Sequence, residues 1–115
     1  MVNYSFEWDT AKALSNLLKH GVNFEEAREI FKDPYVVHLK DELHSDSEER
    51  HYAVGKTLSG RIITVRYTLR EEAIRIIGAA EWRRWRKYYY EQNSQSLQNE
   101  AHQGPDFDEE AIWAR

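Results

Sequence analysis

Residues 61–91 contain a pattern that few folds can satisfy, because two β-type runs flank a polar turn and a helix follows at once. The first run, 63–68, alternates apolar and polar residues, which predicts a strand with one apolar face. The second run, 74–76, alternates in the same way. The basic, aromatic segment after it has helical spacing. The stretch therefore predicts a β-hairpin followed by a helix.

The predicted hairpin brings two arginines together. If it closes through residues 69–72, a loop of two or four residues gives the same register and places Arg66 directly opposite Arg75. Like charges opposite each other on a sheet are unfavourable unless solvent, a carboxylate or a bound anion relieves them. The pair is therefore a candidate phosphate clamp, and the alternative is two solvated arginines paired with Glu71, Glu72 or another acid.

The first thirty residues predict two helices. Asp9 is a suitable N-cap for a helix over 10–20, and Gly21 is suited to end it. Asn23, with Glu26 three residues later, has the pattern that caps a second helix, which Asp33-Pro34 stops. Four apolar residues of the first helix share one face and are predicted to form its core side: Ala11, Leu14, Leu17 and Leu18.

The remaining strands complete the predicted fold. Residues 35–39 and 51–57 are β-prone and precede the hairpin at short spacing, which indicates an antiparallel meander. The helix from about 81 carries Trp82, Trp85 and Tyr89 as an apolar stripe, with basic residues opposite. We therefore expect an α+β fold, in which an N-terminal helical hairpin packs on a small antiparallel sheet that a C-terminal helix follows.

Composition divides the chain into two parts. A length of 115 residues suits one domain, which we place at 1–92. Residues 93–115 hold five acids and one arginine and therefore carry the whole net charge of −4. We predict a polar linker followed by a short acidic helix that Asp106 caps. Residues 105–115 either fold back on the basic surface, in cis or on a second copy, as an RNA-mimicking cover, or stay disordered.

Several functional classes are disfavoured by composition. The chain has no cysteine, which excludes disulfides, thiolate zinc sites and a cysteine nucleophile. No apolar run is long enough for a membrane span, and the first residues lack the regions of a signal peptide, so a cytoplasmic location is expected. Five residues invite a metal site, but their spacing fits no known motif, and we expect no metal and no cofactor: His38, Asp41, His44, Asp46 and His51.

Short motifs in order along residues 4–91 show a resemblance to a known family. They are FEWD, KHGV, FEEA and DP in the first third, then Glu49-Arg50, Gly55, Thr57, Gly60-Arg61, Tyr67-Thr68, the strand IRII (Ile74 to Ile77) and Tyr90-Glu91. This set resembles the BrnT family of type II toxin–antitoxin toxins. The resemblance implies a RelE-like fold and a ribonuclease that cleaves RNA and inhibits translation. It also implies a BrnA-like ribbon–helix–helix antitoxin, which would bind operator DNA for the complex.

The resemblance also guides the candidate site of a metal-independent endoribonuclease. Such an enzyme needs a base for the attacking 2′-OH, cations for the phosphoryl charge and an acid for the leaving oxygen. The catalytic candidates are Arg61 and Arg75 for the phosphate, and Tyr67 and His20 for protons. The RNA-binding candidates are Lys19, Arg66, Arg83, Arg84 and Tyr90, of which Arg66 or Arg84 would assist at the phosphate and Tyr90 is a further proton-transfer candidate.

Structural alternatives stand beside these roles. Alternation sends Tyr67 to the apolar face, where it would be a core tyrosine unless a bulge redirects it. Lys19 and His20 suit a helix C-terminus simply by their charge. Ala80 and Glu81 stand where the family usually has two basic residues. A second hypothesis is therefore a catalytically weakened protein that binds the antitoxin without cleaving RNA. A homodimer is a further expectation.

Overall fold

A single five-stranded sheet organises the computed structural model, which describes residues 5–43 and 48–94. The strand order is β1-β5-β4-β3-β2. The strands are β1 (Ser5–Glu7), β2 (Val37–Asp41), β3 (Arg50–Lys56), β4 (Ile62–Arg70) and β5 (Ala73–Ala80). The helices are α1 (Thr10–His20), the single turn α2 (Phe24–Ala27), which continues as a 3-10 helix (Arg28–Lys32), and α3 (Arg83–Ser94).

The N-terminal helices begin where the sequence predicts. The Asp9 carboxylate accepts a hydrogen bond from the Lys12 amide (3.1 Å), and Gly21 ends α1 with a φ of 68°, which glycine adopts readily. The Asn23 side chain accepts from the Glu26 amide at 2.7 Å. The predicted second helix is divided between α2 and the 3-10 helix, and a strand precedes α1. The expected N-terminal helical hairpin is therefore not confirmed, although the α+β class is.

The sheet is mixed rather than purely antiparallel. Strands β2 to β5 form the predicted antiparallel meander. The short strand β1 instead pairs with β5 in parallel, with Phe6 opposite Ile74. The three residues of β1 carry too little local pattern to indicate their partner strand, which lies more than sixty residues later in the chain.

The sheet has a core on each face. Toward α1 and α2 it buries alternate residues of β4, including Ile63, Val65 and Tyr67, against Phe24 and Ile30. Toward α3 it buries a second cluster, which consists of Tyr52, Val54, Ile62, Trp85, Tyr88 and Tyr89, with Trp82 packed at its edge. We call these two sides of the sheet the α1 face and the α3 face. The predicted aromatic stripe of α3 is thus confirmed, and Tyr88 extends it.

The predicted core side of α1 is wrong. Leu14, Leu17 and Leu18 are 59%, 42% and 78% exposed, whereas Asn16 is buried. The Asn16 amide donates to the Ala79 and Val22 carbonyl oxygens (2.8 and 3.0 Å) and accepts from the Ala79 amide (3.1 Å). These bonds satisfy polar backbone groups that burial would otherwise leave unpaired, so they outweigh the apolar stripe in orienting α1.

The predicted C-terminal helix, 106–115, lies outside the described residues. Helix α3 reaches Ser94, and the division between a domain and an acidic tail stays a prediction. Among the described residues, no helix combines the length and apolarity that crossing a membrane would need.

Candidate nucleic-acid-binding site

A row of polar residues crosses all five strands at one end of the sheet. Asp41 on β2 pairs with Arg50 on β3, Arg50 with Thr68 on β4, Thr68 with Arg75 on β5, and Arg75 with Glu7 on β1. Paired residues on neighbouring strands project to the same side of a sheet. This side is the α3 face, because Arg50 lies two and four positions from Tyr52 and Val54 and therefore projects to the same side as these residues of the core under α3. We call these five residues the polar row.

The polar row combines charges with a buried hydroxyl. The Arg75 guanidinium lies 3.0 Å from the Glu7 carboxylate, with its side chain 25% exposed. Thr68, between the two arginines, is 2% exposed, and its Oγ1 has no hydrogen-bond partner among the described residues. A buried hydroxyl left unpaired costs about 1–3 kcal/mol. Such a group between two cations is suited to donate to an oxygen of a bound anion.

Arg66 does not lie opposite Arg75, as the hairpin predicted, but opposite Gly78. The two-residue turn joins Arg70 and Ala73, and a register shift follows between Arg66 and Tyr67. In the turn, Glu71 has a φ of 53°. The alternation of apolar and polar residues in the two strands does not reveal this conformation, and so it does not show where the turn lies. Arg66 still shares the α3 face with Arg75, in the row next to the polar row. The two arginines are therefore on one surface, but as diagonal neighbours.

Tyr67 lies on the α1 face, although the sheet does bulge beside it. It is 5% exposed, and its hydroxyl lies 2.8 Å from Nδ1 of His38. The ring of His51 stacks on Tyr67 with centroids 5.3 Å apart, and Phe31 meets it edge-on at 5.2 Å. Burial, and secondarily repulsion from His51, lowers the pKa of His38 below its ordinary value. The sheet separates this cluster from Arg75.

Arg61 lies at the opposite end of the sheet from the polar row. Its guanidinium is 2.7 Å from the Glu26 carboxylate and 3.1 Å from that of Glu81, and it also donates to the Gly21 carbonyl oxygen (3.4 Å). Arg61 lies just before β4 and Thr68 lies seven positions later in the chain, which is about 23 Å of extended strand. Arg61 and Arg75 therefore do not meet at one phosphate, contrary to the predicted joint role.

The structure does bring His20 close to Arg61. His20 precedes Gly21, and its ring packs edge-on against Trp82 with centroids 5.8 Å apart. Burial, followed by the charge of Lys19, lowers the pKa of His20. Lys19 itself is exposed at the end of α1. His20, Lys19 and Arg61 thus belong to one group at the far end of the sheet.

The basic residues of α3 form a separate, outward surface. Arg83, Arg84, Arg86 and Lys87 are all exposed, because the opposite side of the helix packs on the sheet. Tyr90 is 46% exposed, and the Lys56 ammonium lies 5.8 Å from the centre of its ring. This surface is suited to stacking and charge contacts with a single-stranded nucleic acid.

Three members of the polar row were missed as site residues by sequence reasoning: Glu7, Arg50 and Thr68. Each belongs to a motif quoted for the family resemblance, but only the cross-strand register shows that they share a row with Arg75. Asp41 of the polar row, and His38 and His51 on the α1 face, were considered only as metal ligands. Two residues of that alternative, His44 and Asp46, lie outside the described ranges, and within those ranges no three potential ligands converge.

The fold and the polar row together define a small α+β protein whose sheet carries two arginines and a buried threonine in one row. Comparison with known families gives the class a name. The family model described as "Ribonuclease toxin, BrnT, of type II toxin-antitoxin system" matches residues 8–86, which is more than half of the chain, and the chain belongs to this family. Membership makes it a ribonuclease toxin and implies an antitoxin partner.

A solved structure supports the fold. The chain is similar to the Brucella abortus ribonuclease toxin BrnT, known from a crystal structure at 1.1 Å resolution, with a TM-score of 0.55 and 20% sequence identity. The match covers 70% of this chain and 97% of the Brucella chain. No curated protein sequence matches the chain significantly.

Proposed function

We propose that the polar row is the phosphate-binding site of a metal-independent endoribonuclease. The observation that carries this proposal is the position of the buried Thr68 hydroxyl, which has no partner in residues 5–43 and 48–94, between Arg50 and Arg75 in a ribonuclease toxin. A guanidinium can hold two phosphoryl oxygens at once, and the hydroxyl can donate to one more. These donors stabilise the charge that grows on the phosphoryl oxygens when a 2′-OH attacks.

The base in this proposal is Glu7. Its carboxylate lies 3.0 Å from Arg75 and is 41% exposed, so a 2′-OH beside the bound phosphate could lose its proton to it. The proton-transfer roles of Tyr67, His20 and Tyr90 stay predictions. Tyr67 lies on the other face of the sheet, and His20 lies with Arg61 at the far end. Arg61, Lys19 and the exposed arginines of α3 would instead contact other parts of an RNA strand.

Glu81 affects how strongly Arg61 would contact an RNA strand at the far end of the sheet. Where the family usually has a basic residue, Glu81 binds Arg61, and the neighbouring Ala80 is buried on the sheet. Both features reduce positive charge at that end of the molecule. We propose that RNA affinity is lower here than in relatives that carry the two bases. The alternative of a non-cleaving binding module is not favoured, because the family is one of ribonuclease toxins.

The antitoxin partner is proposed to be a BrnA-like ribbon–helix–helix protein, through which the complex would bind operator DNA. Self-association of the toxin also stays a prediction.

A cleavage assay in EDTA tests the phosphate site. The purified chain should cut RNA to products that end in a 2′,3′-cyclic phosphate. Arg75→Ala and Arg50→Ala should each lower kcat by roughly 10²–10³, the usual loss when a donor to the transition state is removed. Arg61→Ala, the matched arginine control, should change it by less than about 10-fold. Equal cleavage by Arg75→Ala and the parent chain, with circular dichroism unchanged, would refute the assignment.

A further inference from the structure

Arg70 adds a guanidinium to the surface that carries the polar row. It lies two positions after Thr68 on β4 and therefore projects to the same α3 face. Across the hairpin, Arg70 pairs with Ala73, as Thr68 pairs with Arg75. Two residues of a strand span about 7 Å, which is comparable to the length of one nucleotide in an extended RNA strand. Arg70 thus lies one nucleotide step from the proposed phosphate site.

A carboxylate already occupies the guanidinium of Arg70. Glu48 accepts a hydrogen bond from Nε at 2.6 Å with one oxygen and from Nη2 at 3.3 Å with the other. Arginine uses the same bidentate contact to hold two oxygens of a phosphate. The hydrogen bonds from Arg70, to which the charges of Arg50 and Arg75 add, hold the pKa of the Glu48 carboxyl below its ordinary value. Glu48 is therefore an anion beside the polar row.

This ion pair is open to competition from solvent. The side chains of Arg70 and Glu48 are 48% and 38% exposed. Ion pairs that water reaches contribute little to stability, so the pair is easily separated. A phosphodiester offers paired oxygens and a full negative charge. If the neighbouring phosphate of the same strand is held in the polar row, the tether also raises the effective concentration of this second phosphate at Arg70.

We infer that Arg70 binds the phosphate next to the scissile one, and that Glu48 occupies this second phosphate subsite until RNA displaces it. The inference rests on the proposed phosphate site at the polar row and adds the substrate class, which is RNA with at least two consecutive phosphodiesters. A ligand with a single phosphate gains only one of the two contacts. The subsite therefore favours an RNA strand over a mononucleotide.

Binding of a trinucleotide tests the subsite. A 2′-O-methyl trinucleotide without terminal phosphates has two phosphodiesters and no 2′-OH that could attack them. Arg70→Ala should raise its Kd by about 10-fold, because one charge-assisted contact is lost. Arg28→Ala is the matched control, since it removes another exposed arginine that pairs with a glutamate, Glu25, and it should change the Kd by less than about 2-fold.

A neutral linkage shows which phosphate Arg70 contacts. Replacing one of the two phosphodiesters with a methylphosphonate removes its charge and keeps the nucleoside. One of these two replacements should weaken binding to the parent chain by about 10-fold but to Arg70→Ala by less than about 2-fold, because the partner of that phosphate is already absent. The other replacement should lose its effect in Arg75→Ala instead.

Glu48→Gln tests the role of the competing carboxylate. It should lower the Kd of the trinucleotide by at least about 3-fold, and most of this gain should disappear when Arg70→Ala is also present. Glu25→Gln is the control and should leave the Kd unchanged. An equal gain with and without Arg70 would show that Glu48 acts only through the general charge of the surface, and would overturn its role.

The result for Arg75 separates this inference from the proposed function. If a neutral linkage loses its effect in Arg75→Ala, while both linkages matter as much to Arg70→Ala as to the parent chain, Arg70 binds no phosphate and only the inference is wrong. If both linkages matter equally to Arg75→Ala and the parent chain, and the parent chain leaves RNA intact in EDTA, the proposed function fails and the inference fails with it.

Discussion

Replacing Asn16 should destabilise the domain far more than its position on a surface helix suggests. Its side chain makes three hydrogen bonds to the backbone of Ala79 and Val22, at 2.8 to 3.1 Å, and the residue is only 8% exposed. Asn16→Ala removes all three and leaves the amide and carbonyl of Ala79 without these partners. At about 1 kcal/mol for each bond, plus the cost of unpaired buried groups, the loss is about 3–5 kcal/mol.

That loss is a large share of the 5–15 kcal/mol by which domains are usually stable. Urea unfolding, monitored by circular dichroism, should show this loss of stability as a lower midpoint urea concentration with an unchanged dependence of the free energy of unfolding on urea. Ser15→Ala, one residue earlier and exposed, is the matched control and should shift the free energy of unfolding by less than about 0.5 kcal/mol. A loss below about 1 kcal/mol for Asn16→Ala would show that the leucines, rather than Asn16, could orient α1.

Two further predictions concern stability. The pKa values of His38 and His20 are lowered in the folded chain, mainly by burial, so the unfolded chain binds more protons and stability should fall as the pH drops below about 6.5. The urea midpoint at pH 8 and pH 5 measures this, and His38→Gln should reduce the difference; a midpoint that rises toward pH 5 would contradict it. Gly55→Ala should cost about 1–3 kcal/mol, because the added Cβ would lie 2.9 Å from Cβ of Ile30. A thermal melt that shows no loss would contradict the close packing of β3 on the 3-10 helix.

Local pattern was enough for much of the fold. The ends of α1 follow from Asp9 and Gly21, since capping depends on residues within one turn of the helix. The meander of β2 to β5 follows from period-two alternation and short connections, and the buried side of α3 from its aromatic spacing. The family resemblance, which rests on the motifs, was likewise available before any coordinates and is confirmed by the family match.

Cross-strand register lay beyond local pattern. Whether Arg75 faces Arg66 or Thr68 depends on the turn at Glu71, since a shift of the turn changes every pair in the hairpin, and the bulge beyond Tyr67 then places Arg66 opposite Gly78. For the same reason the polar row, and the separation of Arg75 from Arg61, became visible only when five strands were aligned. The orientation of α1 was likewise decided by tertiary contacts. Its leucines favoured one side, but the amide and carbonyl of Ala79, more than sixty residues away, are paired with the Asn16 side chain, which turns Asn16 inward.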